Sequence, residues 1–161
     1  YNDETLTEII DRMLVARGKT LTVAESCTSG YISHLITSVP GSSQYYKDSV
    51  TAYSNEVKQA LLHVSEKSLA EFGAVSEQVA KEMAMGVKQA MKTDFAVATT
   101  GIAGPDGGTP EKPVGTVWVA VAGENKIFAA KFTFGDNRER NIVRSAQTTL
   151  QILRRVILKE L

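Results

Sequence analysis

A glycine- and proline-rich segment between two apolar runs places the strongest constraint on how this chain can fold. Residues 100–116 contain five glycines and three prolines. The flanking runs, 95–99 and 114–122, are each typical of a buried strand. A hairpin needs only a few connecting residues, and loops of this length in compact domains are usually functional. Because proline restricts the main chain and glycine admits close approach to it, we predict a shaped binding loop. The alternative is a long connection without chemistry.

The size, charge and cysteine content of the chain exclude several classes of protein. Its 161 residues suffice for one domain with a core, and 18 basic and 18 acidic side chains balance to zero net charge. Balanced charge argues against a nucleic-acid partner. The single cysteine excludes an internal disulfide and a cysteine-built metal site, and it is typical of a reducing cytoplasm. No apolar run approaches the roughly 20 residues that span a bilayer. We therefore predict a cytoplasmic protein without a membrane partner.

Hydrophobic periodicity and capping residues divide the chain into alternating strands and helices. Helices are predicted at 3–17, 31–38, 54–62 and 65–73, from Ser76 through Met91, and after Asn137. Strands are predicted at 21–24, 49–53, 95–99, 114–122 and 127–134. The buried side of the last helix is predicted to comprise Ile142, Ala146, Leu150, Leu153 and Ile157. This order predicts a single domain over 1–161, an α/β three-layer sandwich around a mixed, mostly parallel five-stranded sheet.

Three polar segments follow predicted strands and are expected to form one cleft. They are residues 25–30, 53–58 and 100–116. In α/β sheets the ligand site lies beyond the carboxyl ends of the strands, where such loops gather. The sequence therefore predicts a site built from all three segments.

The first segment offers a nucleophile at a turn from strand to helix. Ser26 in this position would be surrounded by main-chain N–H groups, as a nucleophile with an oxyanion hole requires. The alternative for Ser26, Thr28 or Ser29 is a helix N-cap. Cys27 is a rival nucleophile or a small core residue. Glu25 could orient a base or a ligand, or it could be a buried hydrogen-bonding strut.

The second segment offers a general base. Lys58 lies one turn into the helix that begins after Ser54. It can accept a proton only if burial lowers its pKa, and a Ser–Lys pair could then activate a hydroxyl. The alternative is an ordinary solvated lysine. His34 and His63 lie in no triad or metal pattern, which disfavours a Ser–His–Asp triad.

The third segment matches neither common nucleotide fingerprint. It is not a G-x-G-x-x-G followed by a helix, and it lacks the Gly-Lys-Ser/Thr of a P-loop. Arg138, Arg140 and Arg144 open the last helix and could hold a phosphate. For at least two of them the alternative is a solvated helix charge.

The sequence resembles the carboxy-terminal domain of the CinA family of competence/damage-inducible proteins over nearly its whole length. The matching motifs are Ala-Glu-Ser-Cys-Thr at 24–28, Gly-Ser-Ser at 41–43, Tyr-Ser-Asn-Glu with a lysine at 53–58, Gly-Ala-Val-Ser at 73–76 and the loop at 100–116. One departure is visible, because the family usually has Gly-Gly where this chain has Ser29 and Gly30. The first six residues also resemble the linker after an amino-terminal domain. The start at Tyr1 fits a piece cut from a longer protein.

The resemblance implies an amidohydrolase that acts on nicotinamide mononucleotide, with Ser26 as nucleophile, Lys58 as base and Tyr53 as an assisting residue. Under this interpretation the predicted substrate-binding residues are Glu25, Cys27, Thr28, Ser29, Gly30, Ser43, Thr100, Gly101, Ile102, Ala103, Gly104, Gly108, Thr109, Arg140 and Arg144. No metal or cofactor is expected. A homodimer is expected, and the full-length protein could carry an amino-terminal molybdopterin-binding-like domain. The alternative is a nucleotide-binding, regulatory or dimerisation module without turnover.

Overall fold

The computed structural model describes residues 3–161. Tyr1 and Asn2, where the predicted linker begins, lie outside the described residues. The helices are α1 Leu6–Arg17, α2 Tyr31–Thr37, α3 Asn55–Leu62, α4 Glu66–Phe72, α5 Glu77–Met91 and α6 Arg138–Ile157. The strands are β1 Leu21–Glu25, β2 Tyr46–Thr51, β3 Phe95–Gly101, β4 Thr116–Ala122 and β5 Ile127–Thr133. A short 3₁₀ turn, Ser42–Gln44, precedes β2.

The five strands form one sheet in the order β2-β1-β3-β4-β5. β1 pairs in parallel with both β2 and β3, whereas β4 pairs antiparallel with β3 and β5. Only β4 therefore runs against the other four strands, and the predicted mixed, mostly parallel sheet is confirmed. Because β1, β2 and β3 are parallel, the segments that follow them emerge at the same edge of the sheet.

Helices cover both faces of the sheet, as the three-layer prediction requires. On one face α1, α2 and α6 pack on the larger side chains of the sheet, which include Val23, Val97 and Val119. On the other face α3 and α5 pack on small residues, Ala24, Ala96, Ala98 and Ala120. The alanines allow α5 to approach the strands closely. α3 and α5 are also close, since a β-carbon at Gly86 would lie 1.9 Å from the Leu62 carbonyl oxygen.

Capping residues set the starts of the helices as predicted. Thr5, Ser54, Ser65, Ser76 and Asn137 each accept a hydrogen bond from the main-chain N–H three residues later. Thr5 caps α1.

Three predicted boundaries or faces differ from the structure. β2 spans Tyr46–Thr51 instead of 49–53, because its pairing with β1 begins where Leu21 meets Tyr46. β4 begins at Thr116 instead of residue 114, because Gly115, at φ +92°, still belongs to the loop. Ile142 is only half-buried, and Asn141 instead opens the buried face of α6.

No helix within residues 3–161 is both long enough and apolar enough to cross a bilayer.

Candidate functional site

A cleft of about 170 Å³ opens at the sheet edge where β1, β2 and β3 end. The three predicted segments contribute Ser26, Cys27, Tyr53, Lys58, Thr100, Gly101 and Ala103 to its lining. Asn55, Ala74, Val75 and Arg138 complete the lining. The parallel strands therefore bring residues from all three segments together, as the sequence predicted.

Ser26 is the first residue after β1 and is 7% exposed. Its N–H donates to the Thr99 carbonyl oxygen at 3.1 Å, which ties the start of the turn to β3. Its carbonyl oxygen accepts from the Ser29 N–H at 3.1 Å and the Ser29 hydroxyl at 3.2 Å. The main chain of Ser26 is therefore fixed while the residue lines the cleft. Ser26 is not the N-cap of α2, since Gly30 occupies that position.

Lys58 is buried beside this turn, with only 2% of the residue exposed. Its Nζ donates to the Tyr53 carbonyl oxygen at 3.1 Å. Burial lowers the pKa of Lys58 below its ordinary value of 10.5. The alternative of a solvated lysine is therefore wrong. A buried amine of lowered pKa is the form in which lysine can accept a proton near neutral pH.

Cys27 lines the cleft but is a poor nucleophile. Burial raises the pKa of its thiol to about 12. The thiolate is the reactive form of cysteine, and at neutral pH this thiol stays protonated. Ser26 is therefore the stronger candidate nucleophile of this turn.

Glu25 does not line the cleft, which corrects its prediction as a substrate-binding residue. It is fully buried, and its carboxylate accepts from the Thr28 hydroxyl at 2.6 Å, the Ile32 N–H at 2.8 Å and the Ser33 N–H at 3.0 Å. Both of its oxygens are directed under the turn and toward the start of α2. The alternative reading, a buried strut, is the observed one. The Thr28 hydroxyl belongs to the same buried network, and Thr28 is not among the residues that line the cleft.

The glycine loop contributes its first residues to the cleft and not its later ones. The Thr100 hydroxyl donates to the Ala74 carbonyl oxygen at 2.8 Å, joining the loop to the connection between α4 and α5. Both main-chain polar groups of Ile102 are hydrogen-bonded. Its N–H donates to the Thr116 carbonyl oxygen at 2.9 Å, and its carbonyl oxygen accepts from the Gly115 N–H at 2.7 Å. Ile102 is therefore a structural residue of the loop.

Gly108 and Thr109, predicted as substrate-binding residues, lie in an outer turn of the same loop and not in the cleft lining. Both are exposed. The Thr109 N–H donates to the Lys112 carbonyl oxygen at 2.9 Å, and the Thr109 hydroxyl accepts from the Lys112 N–H at 3.0 Å. A β-carbon at Gly108 would lie 2.6 Å from the Val114 nitrogen, so the glycine serves close packing within the loop.

Ser43, Ser29 and Gly30 also lie outside the cleft lining. Ser43 belongs to the 3₁₀ turn before β2, so it lies at the amino edge of the sheet, opposite the cleft. Ser29 and Gly30 adopt positive φ angles of 49° and 94° and direct the chain into α2. The departure from the usual family Gly-Gly therefore falls on this turn and not on the cleft wall.

Arg138 is the arginine that lines the cleft, whereas the predicted Arg140 and Arg144 do not. Its guanidinium donates to the Gly104 carbonyl oxygen at 2.7 Å and to the Tyr53 hydroxyl at 3.4 Å. Arg140 and Arg144 instead line a separate groove on α6. The helix turns about 100° per residue, so residue 140 points well away from residue 138.

Asn141, one turn after Arg138, holds the same part of the loop. Its side-chain amide donates to the Ala103 and Gly135 carbonyl oxygens, each at 2.9 Å. The first turn of α6 therefore fixes residues 103 and 104 at the mouth of the cleft. Sequence reasoning missed Asn141. A polar residue at a core-facing position of α6 could have indicated that its side chain bonds to another segment.

Sequence reasoning also left out three residues of the cleft lining, Asn55, Ala74 and Val75. Asn55 opens α3 directly after the capping serine, and Ala74 and Val75 form the connection into α5. All three lie inside motifs that carry the family resemblance, which was the available signal. Within residues 3–161, no group of three His, Cys, Asp or Glu side chains is arranged to hold a metal ion.

Comparison with known proteins agrees with this architecture. A CinA-like protein from Amoebophilus asiaticus is 48% identical over 155 residues, covering 96% of this chain and 37% of the relative. The chain thus spans less than half the length of that relative. A CinA-like protein from a Synechococcus strain is also 48% identical, over 98% of this chain and 38% of its own length.

Solved structures share the fold along most of their length. A competence/damage inducible protein, CihA, from Agrobacterium tumefaciens superposes with a TM-score of 0.90 at 37% identity, covering 92% of this chain and 91% of its own. A CinA superfamily protein from Klebsiella pneumoniae gives a TM-score of 0.92 at 32% identity, covering 96% of both chains. The family model described as the CinA C-terminal domain matches residues 3–157. With this match over nearly its whole length, the chain belongs to the CinA C-terminal domain family.

Proposed function

We propose that this chain hydrolyses the carboxamide of nicotinamide mononucleotide to give nicotinic acid mononucleotide and ammonia. The observation that carries the proposal is the presence of Ser26 and a buried lysine, Lys58, in the lining of one cleft. A serine needs a neighbouring base to become a nucleophile, and a lysine of lowered pKa can be that base. The family resemblance supports the choice of substrate.

In the proposed reaction, Lys58 accepts and donates the proton at every step. Neutral Lys58 takes the hydroxyl proton as the Ser26 Oγ attacks the amide carbon, forming a tetrahedral oxyanion. The protonated lysine then gives its proton to the departing nitrogen, and ammonia leaves an acyl-serine. Water attacks the acyl carbon by the same route, giving the carboxylic acid and free serine.

Main-chain N–H groups are available for the oxyanion on two sides of the cleft. Within the described residues, the N–H groups of Cys27, Thr28, Ala103 and Gly104 have no main-chain acceptor. Donors aimed at the developing charge are commonly the largest contribution to acyl transfer. The Ile102 N–H is excluded because Thr116 already accepts it.

Arg138 and Tyr53 support binding of the ribose phosphate. Tyr53 is 62% exposed at the mouth of the cleft, and its hydroxyl accepts from Arg138. Arg138 is the arginine in the cleft lining, and a guanidinium pairs well with phosphate. A cleft of about 170 Å³ suits an aromatic amide, leaving the ribose phosphate to extend toward Arg138. This arrangement gives Arg138 the role first predicted for Arg140 and Arg144.

The test is ammonia release from nicotinamide mononucleotide by the purified chain and by Ser26→Ala. We expect the substitution to lower kcat by about 10³-fold or more, because the nucleophile is lost. Ser42→Ala is the matched control, a serine of similar burial that lies in the 3₁₀ turn before β2, outside the cleft lining. Unchanged turnover by folded Ser26→Ala would remove the nucleophile assignment. Nucleotide binding without ammonia release by the unaltered chain would favour a binding module.

The homodimer, the cytoplasmic location and an amino-terminal molybdopterin-binding-like domain in the full-length protein stay predictions.

A further inference from the structure

A buried hydrogen-bond network lies directly beneath the turn that carries Ser26. Its centre is Glu25, a fully buried acidic residue whose three bonds all use the carboxylate as acceptor. A carboxylate is buried at high cost unless donors surround it, so its presence under this turn calls for a specific reason. A stable core alone could be built from apolar side chains of the same volume.

The network joins β3 and α2 to the turn. The Thr28 hydroxyl donates to Glu25 at 2.6 Å and lies 2.8 Å from the Thr99 hydroxyl of β3. Thr99 also accepts the Ser26 N–H through its carbonyl oxygen. Residues 26 and 28 are thus both held to one residue of β3, while Glu25 binds the N–H groups of Ile32 and Ser33 in α2. The residues that flank Cys27 have little freedom to move.

The same bonds decide which N–H groups are left for a ligand. The Ile32 and Ser33 N–H groups at the start of α2 are used by Glu25 and cannot stabilise an oxyanion. The Cys27 and Thr28 N–H groups have no main-chain acceptor in the described part of the chain. They follow the nucleophile directly, so they are covalently held near any acyl group on Ser26.

We infer that Glu25 and Thr28 are positioning residues that hold the Cys27 and Thr28 N–H groups as the oxyanion hole for Ser26. The inference rests on the proposed function only in taking Ser26 as a nucleophile, and it does not depend on the substrate. Donors lower the barrier only when they are already fixed where the charge develops. The Glu25 network supplies that fixed geometry from below the turn.

The experiment compares Thr28→Val with Thr28→Ser and with Thr22→Val. Thr28→Val removes the hydroxyl with little change of volume, and Thr28→Ser keeps it. Thr22 is the matched control, because it lies in β1, is equally buried, and its hydroxyl donates to the Asp48 carbonyl oxygen at 2.8 Å. Thermal unfolding shows whether the two valine variants lose similar stability.

The main readout is the rate at which a fluorophosphonate labels Ser26, followed by peptide mass spectrometry. In this reaction the Ser26 oxygen bonds to phosphorus, fluoride leaves, and the serine proton passes to Lys58. The phosphoryl oxygen occupies the place of the oxyanion, so labelling reports the hole without using the natural substrate. Where ammonia release is measurable, kcat and KM are recorded beside it.

We expect Thr28→Val to slow labelling by about 10- to 100-fold and to lower kcat with little change in KM. Thr28→Ser should restore most of the rate, and Thr22→Val should label at the unaltered rate. Equal labelling by Thr28→Val and the unaltered chain would overturn the inference, as would an unaltered chain that does not label at Ser26. Labelling that slows as expected in a chain that releases no ammonia would sustain the inference and reject the proposed function.

Discussion

The two sides of the cleft differ in how they are held and in what they offer a substrate. The inner side, Ser26, Cys27 and Lys58, is buried and is fixed by hydrogen bonds within the protein. The outer side, Tyr53 and Arg138, is exposed and is linked by a 3.4 Å contact between the two side chains. Burial raises the pKa of Cys27 and lowers the pKa of Lys58. Under the proposed function, proton transfer belongs to the inner side and substrate recognition to the outer side.

The largest expected effect comes from removing the amine on the inner side. Lys58→Met keeps an unbranched apolar side chain but cannot accept a proton, so we expect kcat to fall by about 10³-fold or more. Stability should fall by no more than about 1 kcal/mol, because the buried amine gains only one hydrogen bond for its desolvation. Ammonia release and thermal unfolding measure the two quantities. Lys88→Met is the control, because the Lys88 amine also donates to a carbonyl oxygen, that of Gly123, and neither residue lines the cleft.

The pH dependence of stability is the next effect. Burial lowers the pKa of Lys58 in the folded state below its ordinary value of 10.5. Between the folded pKa and 10.5 the unfolded chain binds more protons at this residue, so the free energy of unfolding rises with pH across that window. We expect the rise in the unaltered chain and a smaller one in Lys58→Met, both measured by denaturant unfolding at several pH values. Identical slopes would mean that Lys58 is not perturbed by burial.

The outer side should affect binding more than turnover. Arg138→Gln removes the charge that faces the cleft mouth, and we expect KM for the mononucleotide to rise about tenfold with a kcat change of less than about threefold. Arg140→Gln is the matched control, an arginine of the same helix that lines another groove. A larger KM effect at Arg140 than at Arg138 would show that the phosphate lies outside the cleft described here.

Much of the architecture was predictable because its signals are local. Serine, threonine and asparagine caps fixed the starts of five helices. The apolar runs gave the buried strands, and the polar segments after β1, β2 and β3 marked the sheet edge where the cleft opens. The burial of Lys58 was less predictable, because it depends on how α3 packs against the rest of the fold.

Several predicted site residues lie outside the cleft lining for physical reasons that the sequence does not carry. The first two turns of α6 contain Arg138, Arg140 and Arg144. The sequence does not show which of these arginines faces the cleft, and the structure shows that Arg138 does. Ser43 lies in a motif that matches the family, but a match does not show at which edge of the sheet a residue lies. Glu25 is adjacent to the nucleophile in sequence, yet strand alternation and its bonds to α2 turn its carboxylate away.

The smallest expected effects distinguish the inner and outer halves of the glycine loop. Thr100 is buried, and its hydroxyl donates to Ala74, so Thr100→Val should cost about 1–2 kcal/mol of stability and lower kcat/KM. Thr109 is exposed in the outer turn, and Thr109→Ala should change stability by less than about 0.5 kcal/mol and kcat/KM by less than about twofold. Denaturant unfolding and ammonia release measure both variants. A Thr109 effect as large as that of Thr100 would mean that the outer turn closes over the bound substrate, and the cleft would then have a third side.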